Sequence, residues 1–173
     1  MTKQLTDKEN ALVESYLNDI KGENYEATVN LYSQMIFIAP QIRLSDEQVK
    51  AGGTSYTYYY RVESSQPYIK AGHASELPVV FVHPEIQEFT GRAYDETFSK
   101  TMRKMWVQFV KTGNPSLSAA QSPDGKAKEW PLYDLKDRQV MVLDEFDIHT
   151  AEESELKIVD WERTYFLTNY YMP

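Results

Sequence analysis

The run Ser55-Tyr-Thr-Tyr-Tyr-Tyr-Arg-Val62 constrains this chain more than any other segment. Its density of aromatic and β-branched residues suits a pleated strand, and Tyr56, Tyr58, Tyr60 and Val62 share one face by the period of two. Such a strand needs a packed layer over its face and partners at its edges. One other segment reads clearly as a strand, Gln139-Val-Met-Val-Leu143. Two strands make a poor sheet, so the pattern implies a sheet that continues in further polypeptide.

The helical signals are plainer. Thr6 can cap a first helix, and Glu9 three residues later completes a capping box. Leu12, Val13, Tyr16, Leu17 and Ile20 then share a face, and Gly22 is a plausible stop. Val29, Leu31, Tyr32, Met35 and Ile36 read as a second helix, and Pro40 can open another that ends at Gly52-Gly53. Phe98, Met102, Met105, Trp106, Phe109 and Val110 give the strongest amphipathic pattern, from about Asp95 to Thr112. Gly113 sits where a left-handed cap belongs, with Pro115 beyond it. The Trp106–Phe109 stripe reads as core packing. Leu117 to Glu129 reads as a loop, and Thr150 to Phe166 as a last helix with Glu152, Glu153 and Glu155 at its start. Val79-Val80-Phe81-Val82 is ambiguous: propensity favours a strand, but its length also suits a buried helical turn. The expected whole is one α/β domain over residues 1–173, with few strands and several packed helices.

Charge narrows the function classes. The net charge of −8 repels phosphate backbones and anionic lipid surfaces, so neither nucleic acid nor a membrane is an expected partner. No apolar run approaches the length of a membrane span, and the N-terminal residues carry no apolar signal core. Cysteine is absent, which removes disulfides and thiolate metal sites. A cytoplasmic location is the simplest expectation.

Three histidines are candidates for proton transfer: His73, His83 and His149. His73 follows the aromatic strand in a loop, with Gly72 before it. Loops at the carboxyl ends of strands are where α/β folds present catalytic groups, and a histidine there can act as general base. Gly72 permits a tight turn or a close backbone approach. Position alone also suits an ordinary surface-loop histidine. His73 and Glu76 at i, i+3 could share a metal, but one such pair supplies too few ligands. His83 and Glu85, flanking Pro84, read as a surface loop.

The strand at Tyr56, followed by Ala71-Gly72-His73-Ala74-Ser75-Glu76-Leu77-Pro78-Val79-Val80-Phe81, resembles the histidine segment of the type B carboxylesterases and cholinesterases. Downstream, Met102-Arg-Lys-Met-Trp106-Val-Gln-Phe109-Val-Lys-Thr-Gly113-Asn114-Pro115 is similar to that family's late helix and its Thr-Gly-Asn-Pro turn. Trp130-Pro131-Leu132-Tyr133 and the strand ending Val142-Leu143 follow in the family's order. The match runs from about Leu31 to Phe166. The resemblance implies the C-terminal part of an α/β-hydrolase fold, with His73 as catalytic general base and acid. Gly72 and Glu76 become structural neighbours of the site, with Glu76 expected to bond nearby backbone donors. It also implies a short helix over Leu77 to Val82, against propensity. No cofactor or metal is expected, and the implied substrate is a small carboxylic ester.

The nucleophile is missing from these residues. Of the seven glycines only Gly53-Thr54-Ser55 begins a Gly-x-Ser-x-Gly elbow, and position 57 is Thr. There is no oxyanion loop of the His-Gly-Gly-Gly type. In this family serine and acid precede the histidine, and only residues 1–72 do so here. Glu9, Glu14 and Asp19 in that stretch read as solvated charges on a helix face. The expectation is therefore an esterase segment that supplies His73, is inactive alone, and needs a nucleophile-bearing N-terminal part. The alternative is a non-catalytic interaction or structural module. Either leaves an apolar face and an unpaired strand edge, so a homo-oligomer is expected, with the Tyr56–Val62 strand or the Met102–Val110 helix near the contact.

Overall fold

The structure is a computed structural model that describes residues 6–21, 25–67, 69–83, 85–157 and 159. Contacts divide the chain into two compact units, one of Met1–Gly53 with Leu156–Pro173 and the other of Thr54–Glu155.

The first unit is helical. Helix α1 spans Asp7–Lys21. Its capping box forms as expected: Thr6 N donates to Glu9 Oε2 at 2.6 Å, and Glu9 N to Thr6 Oγ1 at 3.3 Å. Gly22, its expected stop, lies outside the described residues, as do the side chains of Val13, Tyr16 and Ile20. Helix α2 spans Tyr25–Ser33 and α3 Ala39–Lys50. Pro40 does not follow a break between them. A π-turn over Gln34–Ile38 joins the two, with Ala39 N donating to Gln34 O. Pro40 lacks an N–H and its ring crowds the carbonyl one turn back, which the wider turn relieves. Gly52, at φ +82°, follows the last turn.

The second unit holds the sheet. Strand β1, Thr57–Tyr60, pairs parallel with β2, Gln139–Leu143, in the register Thr57 to Val140 through Tyr60 to Leu143. Strand β3, Ile148–Glu152, pairs antiparallel with β2, placing Val142 opposite His149. The order among described residues is β1-β2-β3. Helices α4, Leu77–Phe81, α5, Ile86–Thr90, and α6, Glu96–Thr112, lie between β1 and β2 in the chain. A parallel pair requires a long crossover of this kind.

The face of β1 read from its period of two meets α6. Tyr56 packs edge-on to Phe109, Tyr58 to Trp106, and Tyr60 lies tilted against Phe98. The strand positions rise as the helix positions fall, so the two elements run in opposite directions. Met102, Met105, Met141 and Leu143 are fully buried in this core, beside Val79 and Val80 of α4. Asp95 caps α6 through Phe98 N at 2.7 Å, and Gly113 closes it at φ +75°.

Three expectations need correction. The segment from Thr150 begins as strand and not helix. Ile148 and Thr150 are β-branched, and a four-residue connection lets them pair with β2 before a helix, α7, starts at Glu153–Leu156. Residues 158 and 160–166 of the expected helix lie outside the described residues. The Trp106–Phe109 stripe is core only in part. Trp106 packs on the core, while Phe109 is 47% exposed and Val110 83%, because the last turn of α6 runs past the sheet. The first strand is also shorter than Ser55–Val62, although Arg61 N still donates to Leu143 O at 3.0 Å.

Candidate active site

His73 sits on a turn between β1 and α4, and its side chain is exposed. The backbone around it is closely specified. Gly72 O accepts from both Ser75 N at 3.1 Å and Ser75 Oγ at 2.7 Å, and Leu77 N donates to Ala74 O at 3.1 Å. Ala74 takes φ +64°, a conformation few L residues adopt, so the turn is imposed by its surroundings. Gly72 serves by close approach. A Cβ there would stand 2.9 Å from the carbonyl oxygen of Ile69.

Helix α4 follows at once, and Val79 N and Val80 N both donate to Glu76 O. Its valines are almost fully buried, and Ser99 Oγ of α6 donates to Val79 O at 2.8 Å. The histidine turn is thus the leading end of a helix bolted to the main core helix.

The Glu76 side chain does not bond backbone donors, as the sequence reading suggested. Its Oε1 accepts from the Tyr58 hydroxyl at 3.1 Å. Burial, and then the charge and hydrogen bond of Glu76, push the Tyr58 phenol up to about 12. The hydroxyl therefore remains a donor at neutral pH. Sequence reasoning placed Tyr58 on the correct face of its strand but gave no sign of this bond.

The other histidines lie elsewhere. His83 Nδ1 accepts from Glu85 N at 3.2 Å. His149 Nδ1 lies 3.1 Å from Asp147 Oδ2, at ion-pair distance but without a hydrogen bond. Clefts open among the described residues of this unit. One of about 430 Å³ lies beyond the carboxyl ends of β1 and β2, lined by Arg61, Arg92, Asp144, Glu145 and Phe146 among others. Another, about 680 Å³, is lined by Val82, His83, Glu85 and their neighbours. His73 lines neither.

The family model for the carboxylesterase family matches residues 1–158. The para-nitrobenzyl esterase of Bacillus subtilis (strain 168) is 30% identical over 145 residues, 79% of this chain and 27% of that protein. Acetylcholinesterase of Bungarus fasciatus is 24% identical over 129 residues, 72% of this chain and 20% of that protein. Among solved structures, a PNB esterase superposes with a TM-score of 0.65 at 26% identity, covering 78% of this chain and 27% of its own. A thermophilic PNB esterase gives 0.66 at 21% identity, covering 94% and 34%. The chain thus spans about a quarter of the length of the relatives it matches, and its sheet and helices are a portion of the α/β-hydrolase fold. With the family model covering the Gly72–Glu76 turn, α4, α6 and β2 alike, this chain belongs to the carboxylesterase family.

Proposed function

We propose that this segment supplies the proton-transfer histidine, His73, of a serine carboxylic-ester hydrolase whose nucleophile and oxyanion donors come from other polypeptide. The supporting observation is an exposed imidazole on a tightly bonded turn directly ahead of a helix anchored by two buried valines, in a chain of the carboxylesterase family. In this reading His73 takes the proton from a serine hydroxyl as the hydroxyl attacks the ester carbonyl. It returns that proton to the departing alcohol, then activates water to release the acid. Oxyanion stabilisation is usually the largest single term in such catalysis, so the 173 residues alone are expected to be inert towards esters. Apolar side chains left exposed on α6, including Val107 and Val110, support association with more polypeptide or a second copy.

The test is hydrolysis of a p-nitrophenyl ester by the chain alone and by the chain co-expressed with the polypeptide encoded immediately upstream. Turnover by the pair that disappears in His73→Ala is the expected result. Equal turnover in His73→Ala overturns the assignment, and His73-dependent turnover by the chain alone overturns the expected inertness. A stable, inert pair would favour the alternative of a non-catalytic module.

A further inference from the structure

We propose that Tyr58 is a positioning residue for His73, acting as a tether from strand β1 to the histidine turn through Glu76. The proposal rests on the reading of His73 given above and extends it to a residue 15 positions earlier in the chain. Three observations carry it. First, the Tyr58 hydroxyl bonds Glu76 Oε1 at 3.1 Å, across 18 residues of sequence. Glu76 is the last residue of the turn that begins at His73 and the cap of α4.

Second, the Tyr58 ring is itself fixed. It meets Trp106 edge-on at 5.2 Å and Trp130 at 6.1 Å, and the two indoles meet each other at 5.7 Å. Trp130 Nε1 in turn donates to Thr57 O at 2.9 Å, within a buried environment. Tyr58 stays 37% exposed, so its ring is held by these two indoles more than by burial, and such edge-on aromatic contacts add stability beyond area burial. Third, Glu76 makes no side-chain bond to the backbone of α4, so its carboxylate is not a helix cap. Its described hydrogen bond runs to the sheet.

The physical consequence concerns geometry. The backbone bonds of the turn set its shape and join it to α4. The Tyr58–Glu76 bond fixes that shape against the strand. Misplacement of a reacting group by about 1 Å can lower rate on the order of 100-fold while leaving substrate affinity alone. The raised phenol pKa is consistent with a bond that persists through the working range of an esterase.

The test is a double-mutant cycle on the co-expressed pair, with Tyr58→Phe, Glu76→Ala and the double variant. Tyr58→Phe keeps the ring and its packing and removes only the hydroxyl. The expected result is a fall in kcat of about 10-fold in each single variant, KM within twofold, and a double variant no worse than either single one. Glu76→Gln, which keeps an acceptor oxygen, is expected to lose less than Glu76→Ala. A kcat in Tyr58→Phe within twofold of the parent, or losses that simply multiply, overturns the tether. The His73→Ala control in the same assay reports separately on the parent reading. A second arm needs no activity. The chain has three histidines, so His73→Ala assigns the His73 imidazole signals in NMR of the 173-residue chain. Tyr58→Phe and Glu76→Ala are expected to shift or broaden those signals alike, and unchanged signals overturn the proposal.

Discussion

Glu145 offers the most direct test of what holds α6 in place. Its side chain is 3% exposed and sits in the connection between β2 and β3. One oxygen accepts from Arg92 Nη2 at 2.5 Å, and the other from Asp95 N at 2.5 Å. Asp95 is the N-cap of α6, so the carboxylate joins the end of a central strand to the start of the core helix. Replacing Glu145 by Ala removes both bonds and leaves the donors behind. A hydrogen bond to a charged group is worth about 1.5–3 kcal/mol. Arg92 is 38% exposed and can rehydrate, so its bond counts at the low end. Asp95 N, half-buried at the helix start, has less recourse to water. The expected total for Glu145→Ala is about 3 kcal/mol, or roughly a hundredfold in the unfolding equilibrium. Glu145→Gln keeps one acceptor and is expected to lose about half as much. The assay is urea unfolding followed by tryptophan fluorescence in a Trp161→Phe background, so that the signal comes from Trp106 and Trp130. A loss below about 1 kcal/mol for Glu145→Ala would refute the view that this carboxylate anchors α6.

Two further outcomes are expected. Gly72→Ala sets a methyl 2.9 Å from Ile69 O and should displace the histidine turn, lowering kcat of the co-expressed pair about tenfold or more while leaving urea stability nearly unchanged; an unaltered kcat would argue that the close approach is incidental. Stability should also decline as pH falls below about 4, the ordinary aspartate value, through two carboxyls held low in the folded chain. Asp134 is lowered by backbone bonds from Asp137 and then, against some burial, from Lys136 and Arg138. At Asp124 burial works upward, but the Lys128 ammonium at 2.7 Å, the Ser122 hydroxyl and Lys126 N outweigh it. Because both folded values lie below the unfolded one, their contribution is complete above that value and is lost as pH falls through the folded range. Asp124→Asn and Asp134→Asn should each flatten the acid limb of urea midpoint against pH.

What could be read from the chain beforehand divides by the range of the forces involved. Helix α6 was legible because its determinants are local: apolar spacing at three and four, Asp95 before it and Gly113 after it. Strand β2 was legible for the same reason, and its bounds match the expected Gln139–Leu143. Helix α4 was not legible from its own residues, since Leu77-Pro-Val-Val-Phe81 has strand propensity. It is helical because burial of Val79 and Val80 against α6, with the Ser99 bond, outweighs that propensity; its residues leave strand and helical turn open, and the family resemblance favours the helix. Strand β3 was missed because its acidic successors mimic a helix start, whereas its pairing partner is set by β2.

The candidate site shows the same division more sharply. His73 and Gly72 stand out as candidates in the sequence because a histidine after a strand, behind a glycine, is a local pattern. The role of Glu76 could not, because its partner is separated from it by a loop and a strand. Alternation put Tyr58 on the inner face, yet gave no means of telling that its hydroxyl emerges beside Glu76 at 3.1 Å. That contact depends on where α6 places Trp106 and where the Leu117–Lys128 bridge leads the chain before Trp130, since both indoles aim the phenol. The histidine is thus a property of a short motif, while its orientation is a property of the assembled sheet and helix. Substitutions far from His73 in sequence, at Tyr58 above all, are therefore expected to change turnover without touching the imidazole.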